Sequence, residues 1–177
     1  MATTTVAKEI NPINSQGTKI FVVAKPATAW ADCTASATAI LAGKQVLCPQ
    51  SLGAIEQTRS VTEYKCLSSN DSKKILGAIS RGSIDIGMLF DPTDTAGQKD
   101  LASAFENNTP VIIGIELPDA DTKVGTKGAQ GTIKWFEGGI SSESIPIEMD
   151  TAILYNVTVE ISSKVTTCPM IAGTKNP

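Results

Sequence analysis

The last third of the chain carries a two-residue rhythm that only an extended strand with one wet face explains. Ile153, Tyr155, Val157, Val159 and Ile161 alternate with Leu154, Asn156, Thr158, Glu160 and Ser162. Successive side chains of a strand point to opposite faces, so the first set turns inward and the second outward. The rhythm recurs twice upstream. Ile84, Ile86, Met88 and Phe90 share one face, with Ser83, Asp85, Gly87 and Leu89 on the other, and Val111, Ile113, Ile115 and Leu117 form a third such set. Less regular β-forming runs lie at 19–24, 55–67 and 132–141.

One helix is expected among these strands, over about residues 95–107. Thr95 with Gln98 three positions later suits a capping box, and Asn107 and Asn108 suit a left-handed stop. Leu101, Ala104 and Phe105 give it one narrow apolar face to pack on the sheet. The rest reads as connection. Residues 1–16 form a polar arm broken by Pro12, and 25–43 are Ala/Thr-rich and suit a short helix or an ordered loop. Residues 68–82 are expected to loop, with at most one helical turn at 73–79, as are 118–131, and 165–177 are a polar tail. The expected fold class is α+β, mainly β: an antiparallel β-sandwich with one flanking α-helix, in a single domain whose core spans 17–164.

Composition narrows the chemistry. Apolar residues are 41% of the 177, enough for a real core. The net charge is −3 and no basic cluster stands out, which disfavours tight nucleic-acid binding, because a protein that grips phosphates needs cations to displace counterions. Tolerating DNA nearby without holding it is compatible with this balance. There is no histidine, which excludes Ser-His and Cys-His triads and removes the commonest metal ligand. Cys33, Cys48, Cys66 and Cys168 form no CxxC pair. Residues 1–9 have no apolar core of a signal peptide, and no stretch approaches a membrane span. The cysteines are therefore expected to be reduced. No catalytic residue, metal site or cofactor is expected.

Several short motifs dissolve on inspection. Gly125, Gly128 and Gly131 lack the GxGxxG spacing, and Gly43 with Lys44 lacks the upstream glycine of a phosphate-binding loop. The sequons at Asn70, Asn107 and Asn156 are chance matches without export. Asp91, Asp94, Asp119, Asp121, Glu148 and Asp150 fall at turns, where carboxylates serve local hydrogen bonding. Glu56, Glu63, Asp85, Glu116, Glu137 and Glu160 differ, because they lie within expected strands and alternate with buried neighbours. Each is expected to point away from the core, and would set the wall charge if the sheet lines a channel. Glu63 and Asp85 are the preferred candidates, since 55–67 and 83–90 are expected to pair as a hairpin.

From Ile84 onward the order of motifs resembles the major tail protein family of long-tailed bacteriophages. A strand runs into Phe90-Asp91-Pro92-Thr93-Asp94, followed by Gly97-Gln98-Lys99-Asp100-Leu101 and Ala104-Phe105-Glu106-Asn107. A strand ending Leu117-Pro118-Asp119 comes next, then Gly138-Gly139-Ile140-Ser141-Ser142 and Tyr155-Asn156-Val157-Thr158-Val159. The resemblance covers roughly the C-terminal half, and more weakly 55–82; it leaves 25–48 unassigned. It implies a structural virion protein, assembled in the host cytoplasm, with six copies per ring. Inner sheets would join into one β-barrel, and rings would stack into a tube bridged by the N-terminal arm and the 68–82 loop. Implied partners are further copies of itself, the tape-measure protein, the tail terminator, tail-tip proteins, and viral DNA passing through the lumen without specific binding; no membrane is implied. Competing readings are a tail-terminator or connector ring and an exported fimbrial or adhesin-type β-sandwich.

Overall fold

The computed structural model describes residues 15–65, 71–120, 126–127, 129–149, 151–169, 171 and 174–175. In chain order the elements are β1 (Lys19–Ala24), α1 (Cys33–Leu41), β2 (Lys44–Gln45), β3 (Pro49–Leu52), β4 (Gln57–Lys65), β5 (Ser72–Arg81) and β6 (Ser83–Leu89). Then follow α2 (Gly97–Glu106), β7 (Val111–Glu116), β8 (Thr126–Lys127), β9 (Ile133–Ser144), β10 (Leu154–Ile161), β11 (Thr166–Cys168) and β12 (Thr174–Lys175). The expected mainly-β class is met, but with two helices rather than one.

The main sheet is antiparallel throughout, in the order β2-β1-β7-β9-β10-β6-β3, and β11 also pairs with β9. The long strand β9 explains how one sheet makes two layers. Its first half, Ile133 to Gly138, pairs with β7, while Gly138 to Ser144 pair with β10. At the switch, a Cβ on Gly138 would meet the Glu160 carbonyl at 2.6 Å and Val159 Cγ1 at 2.7 Å, so only glycine allows the strands this close. The alternating sets named from sequence meet between the two halves. Ile20 and Val22 of β1, Ile113 and Ile115 of β7, Ile84, Ile86 and Met88 of β6, and Val157 and Val159 of β10 form one cluster with Phe136. Each fully buried aliphatic side chain of this kind is worth about 1.5–3 kcal/mol.

The two halves differ on their outer faces. Over β1, β7 and the start of β9 lies α1, capped by Asp32, whose carboxylate accepts the Ala35 N–H at 2.8 Å. It buries Ala37 and Ile40 against Phe21, Ile133 and Cys168. Ile40 fills the space left by Gly114, where a Cβ would lie 2.2 Å from Ile40 Cγ2. This strand half is therefore covered twice, and all six residues of β7 are buried. Cys33, the first residue of α1, is disulfide-bonded to Cys168 of β11, with Cα atoms 5.3 Å apart, within the span a disulfide bridges. That corrects the expectation of reduced cysteines for this pair; Cys48 is free and exposed. It also corrects the reading of 165 onward as a mere tail, since β11 belongs to the sheet.

The motif before α2 has a structural purpose. Asp91 Oδ1 accepts from the Thr93 amide at 2.8 Å and hydroxyl at 2.6 Å, which holds its carboxyl below the usual range. Asp94 supplies the cap, accepting from the Ala96 and Gln98 amides at 2.7 and 3.0 Å. The expected Thr95–Gln98 capping box does not form. Gln98 is buried and bolts the helix to β6 instead, donating to the Leu89 carbonyl at 2.6 Å and accepting the Asp91 N–H at 3.1 Å. The stop falls where expected, with Asn108 at φ 49°.

The remaining difference is large. Residues 72–81 are neither loop nor helical turn but β5, which pairs with β4 in a separate two-stranded ribbon. The expected hairpin of 55–67 with 83–90 is absent, because β6 lies between β10 and β3.

Candidate assembly and lumen surfaces

Among the described residues, no helix lies on the outer face of the second half-sheet (the far half of β9, β10, β6 and β3). Most of its outward residues are small and polar: Ser51, Ser83, Asn156, Thr158, Ser142 and Ser144, with Leu89 and Leu154 paired at one end. Gly87 sits among them with no room for a Cβ, which would lie 2.4 Å from Ser51 Oγ and 3.0 Å from Asn156 Oδ1. Two carboxylates are fixed in this field. Asp85 Oδ1 accepts from Thr158 Oγ1 at 2.7 Å, and Glu160 Oε1 accepts from Ser141 Oγ at 3.2 Å. Residues 49–52, 83–89, 138–144 and 154–161 contain Asp85, Glu143 and Glu160 but no Lys or Arg. Glu143 accepts the Tyr155 phenol at 2.9 Å. Burial first, and this hydrogen bond second, push the Tyr155 pKa well above its ordinary value.

The six acidic candidates therefore part company. Asp85 and Glu160 share the bare face. Glu56 is exposed at the base of the ribbon, where its carbonyl accepts from the Gly82 N–H, and Glu63 is exposed on β4, away from this face. Glu116 does not point to solvent. It is 7% exposed and takes hydrogen bonds from Lys19 of the adjacent strand at 3.0 Å and the Gly131 amide at 3.2 Å. Glu137 is half-buried and paired with Lys25 at 2.7 Å. Of the helix residues, Leu101 and Ala104 enter the core cluster, whereas Phe105 stays 37% exposed and is not the buried anchor expected.

The β4–β5 ribbon is the surface that sequence reading missed. Nearly every residue of both strands is exposed, including Val61, Tyr64, Ile75, Leu76 and Ile79. Val61 lies opposite Leu76 on one face, and Ile75 lies beside Tyr64 on the other. A register shift near Gly77 leaves Ser60 packed where a Cβ would be. An isolated two-stranded hairpin is marginal in water, and exposed aliphatic surface of this kind marks a candidate contact surface.

No protein-family model matches the chain, and no curated protein sequence does either. Solved structures do. The SPP1 tail tube superposes with a TM-score of 0.58 at 14% identity, covering 93% of this chain and 81% of that one. The sheath/tube terminator of an extracellular contractile injection system gives 0.63 at 15% identity, covering 91% and 99%. The tube-terminating cap of the anti-feeding prophage gives 0.61 at 16%, covering 94% and 98%. At these identities the likeness is one of architecture, and it spans nearly the whole chain: this protein has the fold of tail tube and tube-terminator proteins.

Proposed function

We propose that this chain is a major tail tube subunit: a structural, non-enzymatic virion protein whose copies close into hexameric rings and stack around a lumen that conducts viral DNA. The observation that carries the reading is the bare half-sheet with its acidic, cation-free face. Among the described residues that half-sheet has two open edges, at β3 and at the far half of β9, where β7 no longer reaches. Open edges are a hazard unless something pairs them. Four antiparallel strands per copy leave these edges running in opposite directions, so a neighbour's β9 can meet β3 and continue the alternation around a closed ring. Six such copies give a barrel roughly 48 Å across at the backbone, from ~4.8 Å strand spacing and ~40° tilt, wider than the barrels that hold aqueous channels.

Turned inward, the face bearing Asp85 and Glu160 repels phosphate rather than gripping it. DNA carries about one negative charge per 1.7 Å, and the low-dielectric wall of a narrow bore screens poorly. Three lysines of or beside the first half-sheet, Lys19, Lys25 and Lys44, are paired to Glu116, Glu137 and Asp100. Glu63, first preferred for the lumen, belongs to the ribbon and is reassigned to contacts between copies. The tape-measure protein, terminator and tail-tip proteins are the partners this role entails. A tail-terminator ring is the second reading, favoured by the terminator and cap among the similar structures. Negative-stain imaging of the purified protein separates the two. Long tubes support a tube subunit, single rings a terminator, and a monomer at every concentration contradicts both.

A further inference from the structure

Two elements over the first half-sheet are weakly held on their own. The helix α1 has nine residues, below the length at which a helix stands alone in water, and its Thr34, Ser36 and Thr38 are poor helix formers. It buries Ser36, Ala37 and Ile40 and little else. Strand β11 has three residues, joined to the sheet through the pairs Thr166–Trp135, Thr167–Lys134 and Cys168–Ile133. The Cys33–Cys168 bond ties these two elements to each other across 135 positions of sequence. Strands β6, β7 and β10 are held by the main cluster and do not depend on it.

Both sulfurs have a place without the bond. Ser36 Oγ lies 3.4 Å from Cys168 Sγ, and Cys33 Sγ lies 3.9 Å from the Thr167 carbonyl, within reach of a thiol acting as a weak donor. The reduced pair therefore fits the same fold, and the bond changes how firmly α1 and β11 are held rather than where they lie. Access is unequal. Cys168 is 2% exposed whereas Cys33 is half-buried, so a small thiol or disulfide reaches the pair through Cys33.

We infer that Cys33 and Cys168 form a redox-timed latch: a dithiol while copies are made and assembled in a reducing cytoplasm, and a disulfide once the particle stands in oxidising surroundings. This rests on the virion reading and adds a chemical step to it. A small-molecule disulfide of the glutathione class is the oxidant. The Cys33 thiolate attacks it and one thiol leaves; the Cys168 sulfur then attacks Cys33 Sγ and displaces the second. The protein loses two electrons and two protons, and the oxidant leaves as two thiols. Closure fixes α1 and β11 over the first half-sheet after assembly is complete.

The test follows the pair in a chain with Cys48→Ser and Cys66→Ser, so that no other thiol of the chain exchanges with it. Cells making the protein are quenched in acid, free thiols are alkylated with iodoacetamide, and the Cys33 and Cys168 peptides are read by mass spectrometry. Both should be alkylated in the quenched cells, and the two should be joined after the purified protein has stood in oxidised glutathione. A bond already formed in the quenched cells, or thiols that stay free in oxidised glutathione, would overturn the timing. Hydrogen exchange on the same protein reads the consequence. Dithiothreitol should speed exchange at least tenfold in residues 33–41 and 166–168, and leave 84–88 and 155–159 within twofold. Equal exchange in both states, or protection lost from the whole sheet, would overturn the latch. Tube formation is a separate measurement. Tubes should form alike with and without dithiothreitol, and tubes that need the bond would overturn assembly in the open state. No tubes in either condition would overturn the tail tube reading, and the first two measurements would still decide the latch.

Discussion

The body of this protein and its β4–β5 ribbon follow opposite rules. In the body, every long strand has at least one face against Phe136, Val157 or their neighbours, and β7 is covered on both. In the ribbon, aliphatic residues stand on both faces, exposed among the described residues. Burial makes the body self-sufficient, whereas the ribbon leaves its aliphatic surface exposed. Substitutions in the body should therefore be read in unfolding, and substitutions in the ribbon in assembly.

The largest effect should come from the core. Leu101→Ala removes a fully buried side chain from the main cluster and should cost about 2–5 kcal/mol in chemical denaturation. A loss below ~1 kcal/mol would mean that α2 is not docked as described. The Cys33–Cys168 cross-link closes a separation of 135 residues, so Cys33→Ala with Cys168→Ala should cost a comparable 2–5 kcal/mol under oxidising conditions. The same pair of substitutions should be nearly silent in a reductant. Phe105→Ala should cost only about 1–2 kcal/mol, less than the 3–5 of a fully buried phenylalanine, because its ring is partly in solvent.

A pH experiment sharpens the description of the body further. Tyr155 has its folded pKa raised, so its contribution to stability is complete below the unfolded value near 10 and is lost as pH rises above it. Denaturant midpoints should fall between pH 9 and 11, and Tyr155→Phe should reduce that fall. The smallest effect on folding belongs to the ribbon. Leu76→Ser should change monomer stability by no more than about 0.5 kcal/mol, yet impair tube formation. A large drop in melting temperature would place Leu76 in the body and abolish the contrast.

Legibility in the sequence followed the same division. Strands with one wet face announce themselves by alternation, as Ser83–Leu89 and Leu154–Ile161 do. The ribbon could not, because K-K-I-L-G-A-I-S-R packs on no core and has no inner face to keep apolar. The segment reads like loop because neither of its faces packs on the core of the described residues. Glu116 differs for the converse reason: alternation says which face a residue shares, not what else packs there, and Lys19 and the Gly131 amide close over its carboxylate. The α1 segment offered only Ala, Thr and Ser, weak evidence for a helix until Asp32 is seen capping it. The disulfide was invisible because its cysteines are far apart in sequence and nothing in the chain signalled an oxidising compartment. Asp85 and Glu160 were legible as outward carboxylates, but their shared face required knowing that β6 and β10 are neighbours.

The most direct test is a cryo-electron microscopy reconstruction of the assembled protein. Stacked rings are expected in which β3 of one copy pairs with the far half of β9 of the next, with Asp85, Thr158 and Glu160 lining the lumen. Rings with that face turned to the outside, or a protein that remains monomeric at every concentration and salt tried, would contradict this arrangement.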